Sequence, residues 1–464
     1  MLEKIRIRNA RVYDPSQGWR GEIRDLDLAG GRVSPPLALP DRVIDAEGRP
    51  LLAGGIEPCC WAAAPGQALF RLLAGFPAPE EIGRTYARLG YVHLHHPFTG
   101  LLTAGLVQRA FDLIPYVDTS TCVTIDLRDL GTLIRANQPG DFCRQARGLV
   151  RAAGAIGLSL PLPCLRHRQR QYLQKNLSAA KVLSFLSRLE DPGLVPVHLW
   201  GFPELLDEEI PEPGRFHICG LNAALGDESS LERAALFLDA GGSADLGLGT
   251  GEEEFVVETA PGVGPGTISL DAGFPSPLHL RTKREPPDSF RAGWKLLARA
   301  KPSWRLALGA AGAGAGRPGC LAAAATWLLA PESRPLELRD TIKEIRFDFE
   351  DYALRTRLLP ARLLGIEALG HLGAGARACV AIYDLPADGG KNLTESTFRD
   401  CWCLIKDGVP VRERGEFTGL QPPRQTRTRP LEADLEELTR AEAFQNQTVR
   451  AENLWVGGQR AAEP

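Results

Sequence analysis

The chain has 464 residues, 44% hydrophobic and 24% charged, with a formal net charge of −3 at pH 7. That length can bury a large core and exceeds one ordinary domain, whereas a barrel of roughly 250 residues plus an accessory domain would account for it. The balanced charge leaves no basic excess to neutralise phosphates, so nucleic acid is excluded as an expected partner.

Met1-Leu-Glu-Lys-Ile-Arg-Ile-Arg8 alternates apolar and basic residues like a strand and lacks the apolar centre of a signal peptide. Ile5, Ile7, Ala10 and Val12 mark a first strand and Asp14-Pro15 a turn. Ile23, Leu26 and Leu28 mark the next, and Ala29-Gly-Gly-Arg32 signals a hairpin before Val33. Val43 to Gly48 then leads into Leu51-Leu-Ala-Gly-Gly-Ile-Glu-Pro-Cys-Cys-Trp61, an apolar run entering a glycine pair. So few short strands cannot bury both faces alone. Their expected partners are Gly370 to Asp384 and Cys401 to Val411, which again read as strand, turn, strand. Residues 1–55 and 360–420 are therefore expected to close one discontinuous β-domain, with 56–359 inserted as a barrel.

The inserted region alternates strand-like and helix-like segments, the rhythm of a parallel α/β barrel. Strands are expected at Tyr91 to His95, Cys122 to Leu127, Ile156 to Leu160, Val195 to Trp200, His217 to Leu221 and Trp304 to Leu308. Helices are expected at Glu80 to Leu89, Asp141 to Ala153, Ala179 to Leu189, Leu231 to Asp239 and Ser289 to Arg299. Leu306 to Ala330 is rich in Gly and Ala and broken by Arg317 and Pro318, so no membrane span is read there. Ten cysteines without CxxC spacing argue against a zinc ribbon and fit reduced thiols in the cytoplasm. Residues 421–464 read as an arginine-rich linker and a tail, in which Leu431, Leu435, Leu438 and Phe444 mark one helical face. That face would pack on the barrel or dock on another protein of a complex.

Five stretches carry a family likeness: Ile5 to Asp14, Val43 to Ile56, Glu81 to Tyr91, Gly293 to Arg305 and Leu364 to Leu385. Through them the sequence resembles the A-type subunit of formylmethanofuran dehydrogenase and its bacterial counterpart, the alpha subunit of the formyltransferase/hydrolase complex. Both belong to the amidohydrolase superfamily, and the likeness runs over about residues 4–417. The resemblance implies a TIM-like (β/α) barrel of amidohydrolase type plus a small β-domain formed by both chain ends. It also implies a metal-dependent amide hydrolase that interconverts formate and an N-formyl group on methanofuran. The family holds its metals with a His-x-His pair at the end of the first barrel strand, a lysine on a middle strand, later histidines and an aspartate.

Carried over residue by residue, most of that set is missing. The His-x-His pair falls on Cys59 and Trp61, the lysine on Ser159, and the aspartate on Ala311 within Leu308 to Gly316. Only His198 and His217 keep the family's histidines, while Trp200 replaces a neighbour. A zinc hydrolase needs a metal to acidify water and a carboxylate to orient it, so the resemblance leaves a degenerate, metal-free subunit with no catalytic residue and no cofactor. Its vestigial pocket would comprise Cys59, Trp61, Ser159, His198, His217 and Ala311. Its partners would be the other subunits of the complex and a methanofuran-type carrier, with no membrane. The alternative is an active formyl-amide hydrolase with a rebuilt zinc site of Cys59, His198 and His217.

Cys219 is a further thiol beside that set. In Tyr91-Val-His-Leu-His-His96, His93 and His95 share a face one strand later than the family motif and are expected to pack. Gly309 to Gly316 lacks the Lys-Ser/Thr of a phosphate loop, Glu252 to Phe255 reads as a solvated face, and His371, Cys401 and Cys403 carry no expected chemistry.

Overall fold

Ile5 and Ile7 are two residues apart, as are Ala10 and Val12, but the step between the pairs is three, and a strand can keep all four on one face only by bulging. The first strand does this. In the computed structural model β1 (Ile5–Asp14) shifts register against β2 (Trp19–Ala29) between Ile7 and Ala10, where Asn9 takes a φ of 54° and binds Asp45. All four apolar side chains are buried. Residues 2–63, 77–100, 103–125, 127–160, 177–200, 205–247, 254–258, 268–270, 278–283, 288–310, 320–343, 347–385, 393–419 and 423 are described. Apart from Pro423, the linker and tail lie outside them, as do Ala311 and Glu252.

The N-terminal strands continue with β3 (Arg32–Ser34), β4 (Arg42–Asp45) and β5 (Pro50–Ala53). Through Gly54 the chain passes straight into the first barrel strand, β6 (Gly55–Glu57). The barrel goes on with β7 (Tyr91–Thr99), β8 (Asp118–Thr124), β9 (Gly157–Leu160), β10 (Val197–Trp200), β11 (Phe216–Cys219) and β12 (Ser243–Gly247). A small antiparallel sheet of β13 (Glu254–Glu258), β14 (Ile268–Leu270) and β15 (Leu278–Lys283) precedes the eighth barrel strand, β16 (Arg305–Gly309). The eight pair in parallel in sequence order from β6 to β16. Strands β17 (Val380–Ile382), β18 (Cys403–Lys406), β19 (Val409–Glu413) and β20 (Glu416–Phe417) return to the N-terminal strands, with β17 antiparallel to β5. They complete a nine-stranded mixed sheet whose separate apolar core includes Ile5, Leu28, Ile44, Val380 and Ile405.

Helices cover the outside of the barrel. The helix Pro79–Arg88 shows why its sequence is helical: Pro79 opens it, Glu80 and Glu81 favour its positive end, and Arg88 favours its negative end. It buries Ile82 and Tyr86, and Gly83 sits where a Cβ would lie 2.2 Å from the Pro115 carbonyl oxygen, so only glycine fits. Helices Pro139–Ala152, Ala179–Leu186, Glu228–Asp239 and Asp288–Ala298 fall where the periodicity places them. No helix among the described residues is long and apolar enough to cross a membrane. Several strands depart from expectation: β8 starts at Asp118 rather than Cys122, and β12, β13, β14 and β15 lie where no strand is expected.

Asp118 explains the first departure. It is 1% exposed and pairs with Lys406 Nζ at 2.6 Å and Arg377 Nη2 at 2.5 Å, and Arg377 also holds Asp407 at the β18–β19 turn. This buried group ties the bottom of the barrel to the β-domain. Burial pushes the Asp118 carboxyl up, but Lys406 and Arg377 outweigh it and hold the group below the usual carboxylate range. A depressed folded-state pKa gives stability that is present above the unfolded value and lost as the pH falls through the folded one. Asp118→Asn should therefore cost about 3–5 kcal/mol at neutral pH, chiefly by stranding the buried Lys406 ammonium, since Arg377 keeps its pair with Asp407. In urea titrations its deficit against the parent should narrow as the pH drops below about 4.

Candidate functional site

Alternate residues of each barrel strand face the interior, and paired residues of parallel strands share a face. The ladder sets His95 beside Ser120, His198 beside both Ser159 and His217, and His217 beside Ser243. Two residues further along are Cys122, Trp200, Cys219 and Asp245. An interior that branched apolar residues usually fill is here lined by imidazoles, hydroxyls and thiols.

Their contacts are specific. His93 Nε2 and His95 Nδ1 each lie 2.8 Å from the Ser120 hydroxyl, and His95 Nε2 faces Cys122 Sγ at 3.7 Å. His198 Nδ1 faces Cys219 Sγ at 3.4 Å. His217 is tied at both ring nitrogens, to Ser243 Oγ at 3.2 Å and Asp245 Oδ2 at 3.1 Å, and Asp245 also accepts from the Gly220 amide at 2.8 Å. The rings of His95, His198 and His217 follow one another with centroids 5.4 and 4.9 Å apart. Burial, then neighbouring imidazoles, holds His95 and His198 well below the usual histidine range. Burial, then Asp245, pushes the thiols of Cys59 and Cys219 well up, and burial alone raises that of Cys122. At neutral pH these three thiols and two imidazoles are uncharged.

At the carboxyl ends of the strands, where barrel enzymes place their chemistry, aromatic rings close over this interior. Trp61 meets Trp200 edge to face at 4.9 Å and His96 at 5.6 Å, and it stacks on Phe98 at 6.0 Å. The Cys60 amide donates to the His95 carbonyl at 2.7 Å, which folds the segment after β6 over β7. Beneath it Glu57 is fully buried and accepts from the Cys59 amide at 3.3 Å and the Ala310 amide at 2.9 Å, bridging β6 to the end of β16.

Of the residues expected at the site, Cys59, Ser159, His198 and His217 converge on the interior and Trp61 belongs to the aromatic cap, while Ala311 lies outside the described residues. They do not fit the superfamily's paired metals. Trp61 packs among aromatic rings, Ser159 is a hydroxyl 3.3 Å from Thr124, and His217 is already tied to Asp245. The ligand atoms of His198, His217 and Cys219 lie within 4.8 Å of one another, and so do those of His95, Cys122 and His198. Cys59 belongs to neither set. Sequence reasoning missed Asp245 and Cys122 as interior groups and, weighing a metal against packing for His93 and His95, preferred packing. The signal was the spacing of two in His93/His95, His217/Cys219 and Ser243/Asp245.

No family model matches the chain. The A-type Fhc protein of the formyltransferase/hydrolase complex of Methylorubrum extorquens is 24% identical over 534 aligned positions, spanning 95% of this chain and 93% of that one, and the two are homologous. The solved structure of the formyltransferase/hydrolase complex from that organism, in complex with methylofuran, contains a chain that superposes with a TM-score of 0.83. That match has 21% identity and covers 98% of this chain and 96% of the other. Dihydropyrimidinase from Brevibacillus agri gives a TM-score of 0.52 at 14% identity, covering 91% and 98%. The barrel with its accessory β-domain is thus the amidohydrolase fold.

The interior contacts differ in weight. Asp245→Ala leaves His217 and the Gly220 amide without their acceptor and should cost about 3 kcal/mol in urea unfolding, whereas Ser159→Ala, losing one long hydroxyl contact, should stay within about 1 kcal/mol.

Proposed function

We propose that this chain is an A-type component of a formyltransferase/hydrolase-like complex of one-carbon metabolism, and that its barrel serves as a scaffold rather than as the hydrolase. The observation that carries the reading is the near full-length superposition on a chain of that complex, far closer than that on a stand-alone hydrolase. A fold kept over almost its whole length, with aromatic rings at the described strand ends and most of the ligand positions replaced, fits a part retained for the surfaces it presents. The other subunits of such a complex are then its partners, and a methylofuran-type carrier is the small molecule it would work beside. The nine described cysteines are all unpaired with one another, which agrees with a place in the reducing cytoplasm.

Among the described residues, the set expected of an active hydrolase is incomplete. Hydrolysis of an N-formyl amide by the superfamily's route needs a metal-activated water at the carboxyl ends of the strands and a carboxylate beside it. At that end the described residues present Trp61, Phe98 and Trp200, and the nearby carboxyl of Glu57 is spent on backbone amides. The other reading, a hydrolase rebuilt on Cys59, His198 and His217, is weakened because Cys59 stands outside both close donor sets.

Affinity purification of the tagged chain at native expression levels tests the scaffold reading. Formyltransferase/hydrolase subunits should co-purify in stable ratio and remain through gel filtration. A chain that elutes alone at its own 50.4 kDa mass under gentle conditions would contradict it.

A further inference from the structure

The barrel interior holds more metal-ligating groups than packing requires. Neutral imidazoles and thiols meet there at 3.4 and 3.7 Å, contacts that are weak because a thiol is a poor donor, and the ring nitrogens replace apolar surface that would cost nothing to bury. A tetrahedral zinc ion with bonds of about 2.3 Å to sulfur and about 2.0–2.1 Å to nitrogen sets adjacent sulfur and nitrogen ligands roughly 3.6 Å apart. The Cys122–His95 separation of 3.7 Å already has that length.

Two donor sets share His198, and the hydrogen bonds choose between them. His217 has both ring nitrogens engaged by Ser243 and Asp245, so it has no nitrogen to give without breaking a buried contact. His95 has one nitrogen fixed by Ser120 while the other faces only a thiol, itself a ligand type. A histidine whose second nitrogen is held by a neighbour is the usual arrangement behind a metal ligand. Behind Ser120 stands His93, whose Nδ1 has no partner in the fully buried layer below.

We propose that the barrel binds a single zinc-class ion through His95, Cys122 and His198, tying β7, β8 and β10 together beneath the aromatic cap. On binding, the Cys122 thiol releases its proton to solvent as its sulfur bonds the metal, and the neutral imidazoles bind through nitrogen lone pairs. Soft sulfur with imidazole selects zinc over magnesium or calcium. The set lies on the second, third and fifth barrel strands; it shares His198 with the family's ligands but takes nothing from the first strand, and so does not rebuild the superfamily's hydrolytic centre. It does depart from the expectation of a metal-free barrel. It stands independently of the scaffold reading, since its tests read metal content and stability rather than partners.

The full chain, freed of metal and titrated with Co²⁺, should develop a sulfur-to-cobalt charge-transfer band in the near ultraviolet that saturates at a single ion per chain and is displaced by Zn²⁺. Cys122→Ser, close to isosteric, should abolish the band, while Cys403→Ser, in the β-domain, should leave it unchanged. Ser120→Ala should weaken Co²⁺ binding about 10–100-fold without removing the band. Zn²⁺ should also raise the thermal midpoint of the parent but not of Cys122→Ser or His95→Gln, which keeps the test informative should one variant fold poorly. A parent chain that takes up no Co²⁺, a band that survives in Cys122→Ser, or one lost in Cys219→Ser while Cys122→Ser retains it would each overturn the proposal.

Discussion

Closure of the barrel rests on Glu57. An eight-stranded barrel must join its first strand to its last, and here the Glu57 carboxylate bridges that seam by accepting from the Ala310 and Cys59 amides. The opposing residue has to be glycine, because a Cβ on Gly309 would lie 2.3 Å from Glu57 Oε1. In the amidohydrolase pattern this stretch leads directly into the first pair of metal ligands. In this chain its carboxylate is committed to backbone donors and the two following ligand positions are Cys59 and Trp61. Scaffold and chemistry meet at this seam, and the scaffold has kept it.

Two sets of buried polar groups differ in their physics. At the bottom, Asp118, Arg377 and Lys406 are charged and paired, and they hold the accessory domain against the barrel. Higher up, His95, His198, Cys59, Cys122 and Cys219 stay neutral because burial makes charge expensive there. Such an interior offers uncharged thiols and imidazoles beside the carboxyls of Glu57 and Asp245, which are engaged by backbone amides and His217. It can lose thiol protons to a metal that gives better contacts than the weak ones present, so one set of side chains is compatible with a lost hydrolase and with a proposed ion.

The fold is legible in the sequence wherever burial follows local pattern. Ile5, Ile7, Ala10 and Val12 announce β1, and barrel strands with aliphatic runs, such as Val195 to Trp200, stand out by composition. Strand β8 is read from Cys122 and not from Asp118 because nothing local says that Lys406, far along the chain, neutralises that aspartate. Ser243-Ala-Asp245 is silent for the same reason: a serine and an aspartate carry little strand signal until His217 and Gly220 stand beside them. Of the site, the missing ligands are legible, since absence can be read from a motif. The replacements are not, because the donor set of His95, Cys122 and His198 joins three strands that only the closed barrel brings together.

The central claim is that this barrel has kept the architecture of a hydrolase without its reaction. Incubating the purified chain with an N-formyl amide and added zinc, and measuring formate release, tests it most directly. The predicted result is release no faster than the uncatalysed background, whether or not zinc binds inside. Zinc-dependent turnover that disappears on changing His198 to alanine would contradict it.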